Sequence, residues 1–135
     1  MTFQIDERLA QDTIEVTNLK LSYVGLMDDQ RFPWLILVPR IENSIEITDL
    51  SEFDRHLLID ETLNCSTVLQ SMYRDTYKMN IGALGNVVRQ LHVHVIARTQ
   101  TDDAWPNPVW GVGECVPYPR DEVERLVLQL RTKLA

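Results

Sequence analysis

The stretch Arg89–Arg98, RQLHVHVIAR, places polar side chains at alternate positions in an otherwise apolar run. In a β-strand, residues two apart project from the same face of the sheet. We therefore predict a strand over Val87–Ala97, with Gln90, His92 and His94 together on one face. The opposite face is expected to pack on the core, and it carries Leu91, Val93 and Val95.

The pattern alone leaves three interpretations of His92 and His94 open. They are ordinary histidines on the less buried face of a strand, or they supply two ligands to a zinc ion, as an H-x-H pair in a strand often does. The candidates for a third zinc ligand lack a confirming spacing: Glu42, His56, Asp102 and Cys115. In the third interpretation a neutral imidazole attacks phosphorus, because the ordinary histidine pKa of about 6.5 leaves the nucleophilic form abundant at neutral pH.

Length and charge limit the number of domains and the kinds of partner that this sequence allows. The 135 residues, 44% of them hydrophobic, fit one globular domain over residues 1–135. The net charge of −7, from 13 Lys and Arg against 20 Asp and Glu, offers no basic surface for a nucleic acid polymer. A few donors suffice for one small phosphorylated ligand, so such a partner is not excluded.

The sequence carries no sign of a membrane or of an oxidising compartment. Cys65 and Cys115 lie far apart and match no paired metal-ligand spacing. The N-terminal residues have neither an apolar signal core nor a transit pattern, and no apolar run approaches the roughly 20 residues that cross a bilayer. We therefore expect a cytoplasmic protein with no membrane partner.

Hydrophobic periodicity and turn residues predict a short N-terminal helix, two hairpin strands, a long helix, two further strands and a C-terminal helix. In chain order these elements are Ile5–Thr13 (helix), Leu19–Met27 and Phe32–Val38 (hairpin), Leu50–Tyr73 (helix), Tyr77–Ile81 and Val87–Ala97 (strands), and Arg120–Leu134 (helix). Strands that arrive in hairpins, without alternating βαβ units, favour an α+β fold with an antiparallel sheet.

The long predicted helix has a recognisable start and one apolar stripe. Asp49 with Glu52 forms a candidate capping box at its N-terminus. We expect the stripe to pack on the sheet and His56 to face solvent or the edge of the core. The stripe comprises Leu50, Phe53, Leu57, Leu58, Cys65, Val68, Leu69 and Met72.

The run Gly85–Arg98, GNVVRQLHVHVIAR, resembles the signature of the histidine triad (HIT) superfamily of nucleotide hydrolases and transferases. That signature is an H-φ-H-φ-H-φ-φ strand, in which φ is apolar, with a glycine five residues before its first histidine. Gly85 stands five residues before Gln90, so Gln90 matches the first triad position, His92 the middle and His94 the last. The chain is most similar to a bacterial subgroup whose signature begins with glutamine.

Weaker similarities extend over most of Leu19–Arg98. Asn80-Ile81-Gly82 resembles the N-x-G that precedes the signature strand, and LVPR, ending at Arg40, resembles the family's strand end in (V/I)-P-(K/R). The segment AWPNPVWG, which contains Trp105 and Trp110, resembles a Trp- and Pro-containing C-terminal segment of some members. We expect these tryptophans either to lie near the site of a partner subunit or to cover the sheet.

The resemblance implies a HIT-like antiparallel sheet of about five strands, with one long helix and a C-terminal helix, in a homodimer. It also implies a nucleotide hydrolase or nucleotidyl transferase without a metal or other cofactor. The middle histidine, His92, is then the nucleophile that attacks the α-phosphate of a small nucleotide conjugate, and His94 contacts a phosphate oxygen or donates a proton. The residues expected to bind the nucleotide or its phosphates are Asn80, Gly82, Gly85 and Asn86.

The chain departs from the family pattern at three positions. Gln90 replaces the first histidine, but its backbone carbonyl remains able to hold the other ring nitrogen of the nucleophile. Val87 stands where members often carry a phosphate-contacting Ser, and Glu42 lies near a position that is often His. The alternative function is therefore a nucleotide-binding module with little or no turnover. Asp28 and Asp29 are expected to meet a ribose or to form a solvated turn.

Overall fold

Five strands of the chain form one antiparallel sheet in the computed structural model, which describes residues 3–135. In chain order the elements are α1 (Glu7–Asp12), β1 (Thr13–Asn18), β2 (Ser22–Met27), β3 (Trp34–Pro39), α2 (Glu52–Met72), β4 (Lys78–Gly82), β5 (Val93–Arg98) and α3 (Arg120–Leu134). The strands lie in the order β1-β2-β3-β5-β4, and every neighbouring pair is antiparallel. The predicted α+β fold, with its β2–β3 hairpin, long helix and C-terminal helix, is confirmed.

Both faces of the central strands are covered. On one face Leu35, Leu37, Val93 and Val95 belong to a core that α2 and α3 complete. On the other face Trp34, Ile36 and Ile96 pack beneath the loop after β5, together with Val109 and Leu9. All six residues of β5 are buried as a result. Because side chains alternate along a strand, His94 lies on the second face, beneath that loop.

The long helix begins two residues later than the sequence indicated. Its N-cap is Ser51, whose hydroxyl accepts a hydrogen bond from the Asp54 backbone N–H at 3.1 Å. Asp49 instead accepts from the N–H groups of Ile45 and Glu46 and closes a short 3₁₀ turn, Ile47–Asp49. The predicted capping box of Asp49 with Glu52 is therefore wrong.

One residue of the predicted apolar stripe, Phe53, does not face the core. Leu50, Leu58, Cys65 and Leu69 are buried, but Phe53 is 75% exposed. Phe53 lies five residues before Leu58, which rotates it about 140° around the helix axis, away from the sheet. His56 faces solvent, as expected for one of the two alternatives. None of the helices described in residues 3–135 has the length and apolar character that crossing a membrane requires.

Two strand predictions need correction. The segment Thr13–Asn18 forms edge strand β1, which was not predicted from the sequence, because only every third residue of it is buried and no clean alternation marks it. Strand β5 begins at Val93 and not at Val87. Before it, the Leu91 N–H bonds to the Ser44 carbonyl at 3.0 Å, outside the sheet, so the chain here does not follow the strand ladder.

Candidate active site

The tautomer of His92 is set by one backbone contact. His92 lies just before β5 and is 5% exposed. Its Nδ1 is 2.7 Å from the Gln90 carbonyl oxygen. Because a carbonyl oxygen only accepts, Nδ1 carries the hydrogen and donates it, which leaves a lone pair on Nε2. Nε2 makes no hydrogen bond within residues 3–135, so this nitrogen is free to act as a base or nucleophile.

Gly85 is required by the packing around the His92 ring. A Cβ atom at Gly85 would lie 2.9 Å from His92 Cε1 and 2.5 Å from the Val88 carbonyl oxygen. Any side chain there would push the imidazole or the backbone aside. Gly82 differs, since a Cβ at that position meets no atom within 4 Å. The glycine that sets the register of the triad is thus the one that lies directly against the middle histidine.

A cleft of about 340 Å³ opens beside His92. The turn before Val87 forms one wall, the segment leading into β5 forms another, and part of the loop after β3 closes the end. Asn86 and Arg89 are exposed and bring hydrogen-bond donors, while Glu46 brings a negative charge. The full lining is Ile45, Glu46, Ala83, Gly85, Asn86, Arg89, Gln90, Leu91 and His92. This space is large enough for a phosphate-sized group beside His92.

His94 has no free ring nitrogen. The Trp34 indole N–H donates to Nδ1 at 3.0 Å, and since the indole nitrogen only donates, Nδ1 is the acceptor. Nε2 therefore carries the hydrogen and donates it to the Leu84 carbonyl at 3.0 Å. Burial of the ring lowers the pKa of His94 to about 4. This geometry argues against the expected role as phosphate contact or proton donor, and it makes His94 a support for the turn that contains Leu84.

The side chain of Gln90 does not share a strand face with the two histidines, contrary to the prediction. Because β5 begins only at Val93, Gln90 lies in irregular chain, and its amide turns toward the N-terminal segment. Its Oε1 accepts from the Asp6 N–H at 2.7 Å, and its Nε2 donates to the Gln4 carbonyl at 2.9 Å. Only the backbone of Gln90 acts on His92.

Asn80 and Gly82 lie on β4 and do not line the cleft. The Oδ1 atom of Asn80 accepts from Arg98 at 2.8 Å. Arg98 is 1% exposed and also binds both carboxylate oxygens of Asp102, at 2.7 and 3.0 Å. Of the predicted nucleotide-binding residues, the structure thus brings Gly85 and Asn86 to His92 and leaves Asn80 in a buried network one strand away.

Aromatic rings surround His94, and the sequence did not predict the most important of them. Trp34 lies 5.7 Å and Trp110 5.0 Å from the His94 ring, centroid to centroid. Trp105 is elsewhere, against Tyr77 and the Arg98 guanidinium. The sequence pattern does indicate the position of Trp34, since it alternates with buried Ile36 and Val38 along β3. No sequence pattern indicates its hydrogen bond to a histidine on another strand.

The two aspartates of the first hairpin hold the C-terminal loop. Asp29 is 3% exposed, pairs with Arg31 at 2.8 Å and accepts from the Val116 N–H. Asp28 pairs with Arg120 at 2.9 Å and accepts from the Tyr118 N–H. Neither predicted alternative for these residues, a ribose contact or a solvated turn, describes them. Their carboxylates are occupied by contacts within the chain.

The scattered candidates for a zinc ligand do not converge on the two histidines. Across the part of the chain that the structure describes, no group of three or more His, Cys, Asp or Glu side chains is arranged to hold a metal ion. Asp102 is bound to Arg98, and His56 faces solvent on α2.

Comparison with known proteins places the chain and its fold in a family. The protein-family model of the HIT domain matches residues 8–101. Three solved histidine triad proteins are similar over nearly their whole length. The one from Bradyrhizobium japonicum is 41% identical, with 100% of both chains covered and a TM-score of 0.96. The one from Sinorhizobium meliloti is 44% identical, with 98% of this chain and 97% of that one covered and a TM-score of 0.94.

The third, from Marinobacter aquaeolei, is 40% identical, with 99% of this chain and 97% of that one covered and a TM-score of 0.95. A search of curated proteins found no match. The chain belongs to the HIT family, and the predicted family and fold are confirmed.

Proposed function

We propose that the protein is a nucleotide hydrolase or nucleotidyl transferase that acts on a small nucleotide conjugate, such as a dinucleoside polyphosphate or a nucleoside phosphoramidate. One observation carries this proposal: His92 lines the cleft and its Nε2 makes no hydrogen bond within residues 3–135, while its Nδ1–H is held by the Gln90 carbonyl. A neutral imidazole of fixed tautomer is suited to nucleophilic attack on phosphorus.

In the proposed reaction the Nε2 lone pair attacks the α-phosphorus, and the bond from phosphorus to the leaving group breaks. The leaving group departs with that electron pair and takes a proton from solvent. Water or another acceptor then attacks the nucleotidyl-histidine, the P–N bond breaks, and His92 is restored. The hydrogen bond from Nδ1 to the Gln90 carbonyl strengthens as the imidazole becomes positive, so it favours the intermediate.

The cleft supplies donors for the phosphate oxygens. Asn86 and Arg89 line it, and Gly85 lets the backbone of the turn approach closely because it has no side chain. His94 acts in this proposal as a positioning residue, because its bond to the Leu84 carbonyl holds the same turn. This replaces the direct phosphate contact expected from the sequence.

A second copy of the chain is the proposed partner. Strand β4 is an edge of the sheet, and Tyr77 and Ile81 beside or within it are 63% and 48% exposed. Helix α2 packs on the neighbouring strand β5, and Phe53 and Leu63 on its outer face are 75% and 54% exposed. An unpaired edge next to an apolar surface supports association into a homodimer. A Leu63→Lys variant should shift the mass measured by light scattering from that of a dimer to that of a monomer.

Further parts of the proposal follow from the sequence. We assign the chain to a HIT branch that carries glutamine at the first triad position, with residues 1–135 as one domain. The proposed location is the cytoplasm, which the free thiols of Cys65 and Cys115 support.

A nucleotide-binding module with little turnover is the second candidate. It is favoured by the occupied nitrogens of His94 and by Val87, which is 73% exposed and offers no polar side chain to a phosphate. Such a protein would keep the cleft and bind nucleotide, but it would lack groups that stabilise the transition state.

Trapping of the covalent intermediate separates the two candidates. The protein is mixed with a dinucleoside polyphosphate or phosphoramidate labelled in the nucleotidyl half, denatured at neutral pH, and analysed for label on protein. The enzyme proposal predicts label on wild type and on a His56→Ala control, and none on His92→Ala. If wild type binds nucleotide but shows neither adduct nor turnover, the enzyme proposal is refuted and the nucleotide-binding module is supported.

A further inference from the structure

A separate cavity lies between α3, the residue that follows α2, and the turn that joins β2 to β3. It shares no lining residue with the cleft beside His92. Its volume is about 340 Å³, which falls in the range of cavities that hold small organic ligands. The lining combines two phenol rings, side-chain amides, a carboxylate and a guanidinium, and Pro33 and Leu126 add apolar surface. None of these groups has a part in the proposed nucleotide chemistry.

Hydrogen bonds fix the wall of this cavity that carries Tyr118. The Tyr118 N–H donates to the Asp28 carboxylate at 3.0 Å, and the Tyr118 carbonyl accepts from Arg120 at 2.7 Å. The hairpin turn is tied to the same segment, since the Gln30 side-chain amide donates to the Pro117 carbonyl at 3.2 Å. The cavity is therefore preformed, which lowers the entropic cost of binding a ligand.

The hydroxyl of Tyr118 lacks a partner within the protein. The residue is only 7% exposed, and its hydroxyl makes no hydrogen bond within residues 3–135. This oxygen is still accessible, because the inaccessible polar side-chain atoms without a partner in the described chain are Ser22 Oγ, Thr62 Oγ1 and Trp110 Nε1. Tyr118 lines the cavity, so its hydroxyl opens into that space. Buried phenols usually have a hydrogen-bond partner, and here a molecule in the cavity has to supply it.

Two opposite charges on α3 line the same cavity without pairing with each other. Glu122 and Arg125 are three residues apart, a spacing at which such side chains often form an ion pair. The ion pairs within residues 3–135 include neither of them. A carboxylate and a guanidinium that stand apart complement a ligand with one positive and one negative group.

The phenols of the cavity are donors at neutral pH. Burial, with a smaller effect of the Glu122 carboxylate, raises the pKa of Tyr73 above its ordinary value of 10.0. Burial also raises the pKa of Tyr118. Both hydroxyls therefore keep their protons and can donate to a carboxylate group of a ligand.

We propose that this cavity binds a small zwitterion of the α-amino acid class with an apolar side chain. Arg125 pairs with the ligand carboxylate, to which the Tyr118 hydroxyl also donates, and Glu122 pairs with the ligand ammonium group. The apolar side chain of the ligand lies against Pro33 and Leu126. A ligand with a single charge leaves one of the two charged side chains without a partner. The site is independent of the proposed nucleotide chemistry, because it uses none of the same residues.

Three probes of similar shape test the requirement for both charges. They are phenylalanine, phenethylamine, which lacks the carboxylate, and 3-phenylpropanoate, which lacks the ammonium group. NMR titration of the backbone amides of the full chain measures the affinity and the place of binding together. We expect phenylalanine to bind with a Kd of about 1 mM or below and to shift resonances of the cavity residues. Each analogue should bind about three- to fivefold more weakly, the effect expected of an ion pair at a partly exposed site.

Variants that neutralise one charge assign the two ends of the ligand. In Arg125→Gln, phenylalanine should bind no more tightly than phenethylamine does. In Glu122→Gln, it should bind no more tightly than 3-phenylpropanoate does. Tyr118→Phe removes only the hydroxyl and should weaken the binding of phenylalanine about threefold, the typical effect of one neutral hydrogen bond.

Matched substitutions outside the cavity control for loss of charge and of a hydroxyl. Glu124 and Lys133 are exposed on the same helix, and Tyr77 is 63% exposed beside β4. Glu124→Gln, Lys133→Gln and Tyr77→Phe should therefore bind phenylalanine as wild type does.

The discrimination between the probes decides the proposal. It is overturned if phenylalanine does not bind, if the shifted resonances lie outside the cavity, or if the three probes bind equally well. It is also overturned if Arg125→Gln and Glu122→Gln both keep the preference for phenylalanine. Should Tyr118→Phe prove unstable, these two variants still give the answer, because both side chains are exposed and their loss leaves the core intact.

Discussion

The two triad histidines lie side by side, with ring centroids 4.9 Å apart, yet their surroundings differ in kind. His92 lines a cleft and has one nitrogen held by a backbone carbonyl and the other without a hydrogen bond within residues 3–135, whereas His94 has both nitrogens engaged inside the protein. Two histidines in the same alternating sequence pattern therefore need not have the same chemical role. The difference arises because His94 lies within a covered strand and His92 lies just before it.

The largest effect should separate the two histidines directly. His92→Ala removes the nucleophile, and we expect turnover of the conjugate to fall by at least about 10³-fold. His94→Gln keeps one donor and one acceptor for Leu84 and Trp34, so turnover should remain within about tenfold of wild type. Steady-state kinetics on the same substrate measures both variants. Equal loss in the two variants would contradict the division of roles described above.

A substitution at Gly85 should disturb His92 without touching its chemistry. In Gly85→Ala the new Cβ would stand 2.9 Å from His92 Cε1, so the ring must shift. A displacement of the nucleophile of this kind costs about 10²-fold in rate. Gly82→Ala serves as the control for folding, since its Cβ meets no atom within 4 Å. Turnover and thermal unfolding are measured together, and unchanged kinetics in Gly85→Ala would refute the packing argument.

Acid should destabilise the protein through His94. Burial lowers the pKa of His94 in the folded state to about 4, while the unfolded chain titrates near the ordinary value of 6.5. Between these values the unfolded state binds more protons, so stability is full above about pH 6.5 and falls as the pH approaches 4. The contribution of His94 to this loss is roughly 2 kcal/mol between pH 7 and pH 4.5.

Urea unfolding at the two pH values measures this loss. A His94→Gln variant should lose less stability than wild type over the same interval, and His56→Ala should lose as much as wild type because His56 faces solvent. An equal loss in wild type and His94→Gln would show that other groups dominate the acid response.

An effect of similar size is expected from the indole that orients His94. Trp34→Phe removes the N–H that donates to His94 Nδ1 and leaves a buried acceptor without a partner. We expect a loss of about 1–3 kcal/mol in the free energy of unfolding. Because the lost bond favoured neutral imidazole, the pKa of His94 should move upward. NMR titration of the ring resonances checks the direction, and a downward shift would rule out this account of the tautomer.

The sequence predicted the fold well, and it failed where long-range contacts decide. Gly85 could be predicted to lie near the histidines because its spacing to them is local, and β5 could be predicted because apolar residues alternate with His92 and His94 at its start. The burial of His94 beneath the loop after β5 could not be predicted from the sequence. It depends on Trp34 from another strand and Trp110 from an irregular loop, and no local pattern connects them.

The same limit applies to Gln90 and Asn80. Both were expected beside the phosphate, but each side chain binds a group distant in the sequence: the backbone of Gln4 and Asp6 for Gln90, and Arg98 for Asn80. Periodicity predicts the face on which a side chain lies, provided the strand reaches that residue. It does not predict which distant group will occupy the side chain's hydrogen bonds.

The hydrogen bond from His92 to the Gln90 carbonyl has a consequence for how such a site can change during evolution. A main-chain oxygen is present whatever residue occupies the position, so substitution at the first triad position does not by itself remove the group that orients the nucleophile. The residue at this position can be substituted, and its side chain can take on another role, provided that the backbone conformation is kept. The middle position has no such freedom, because there the side chain itself is the reacting group.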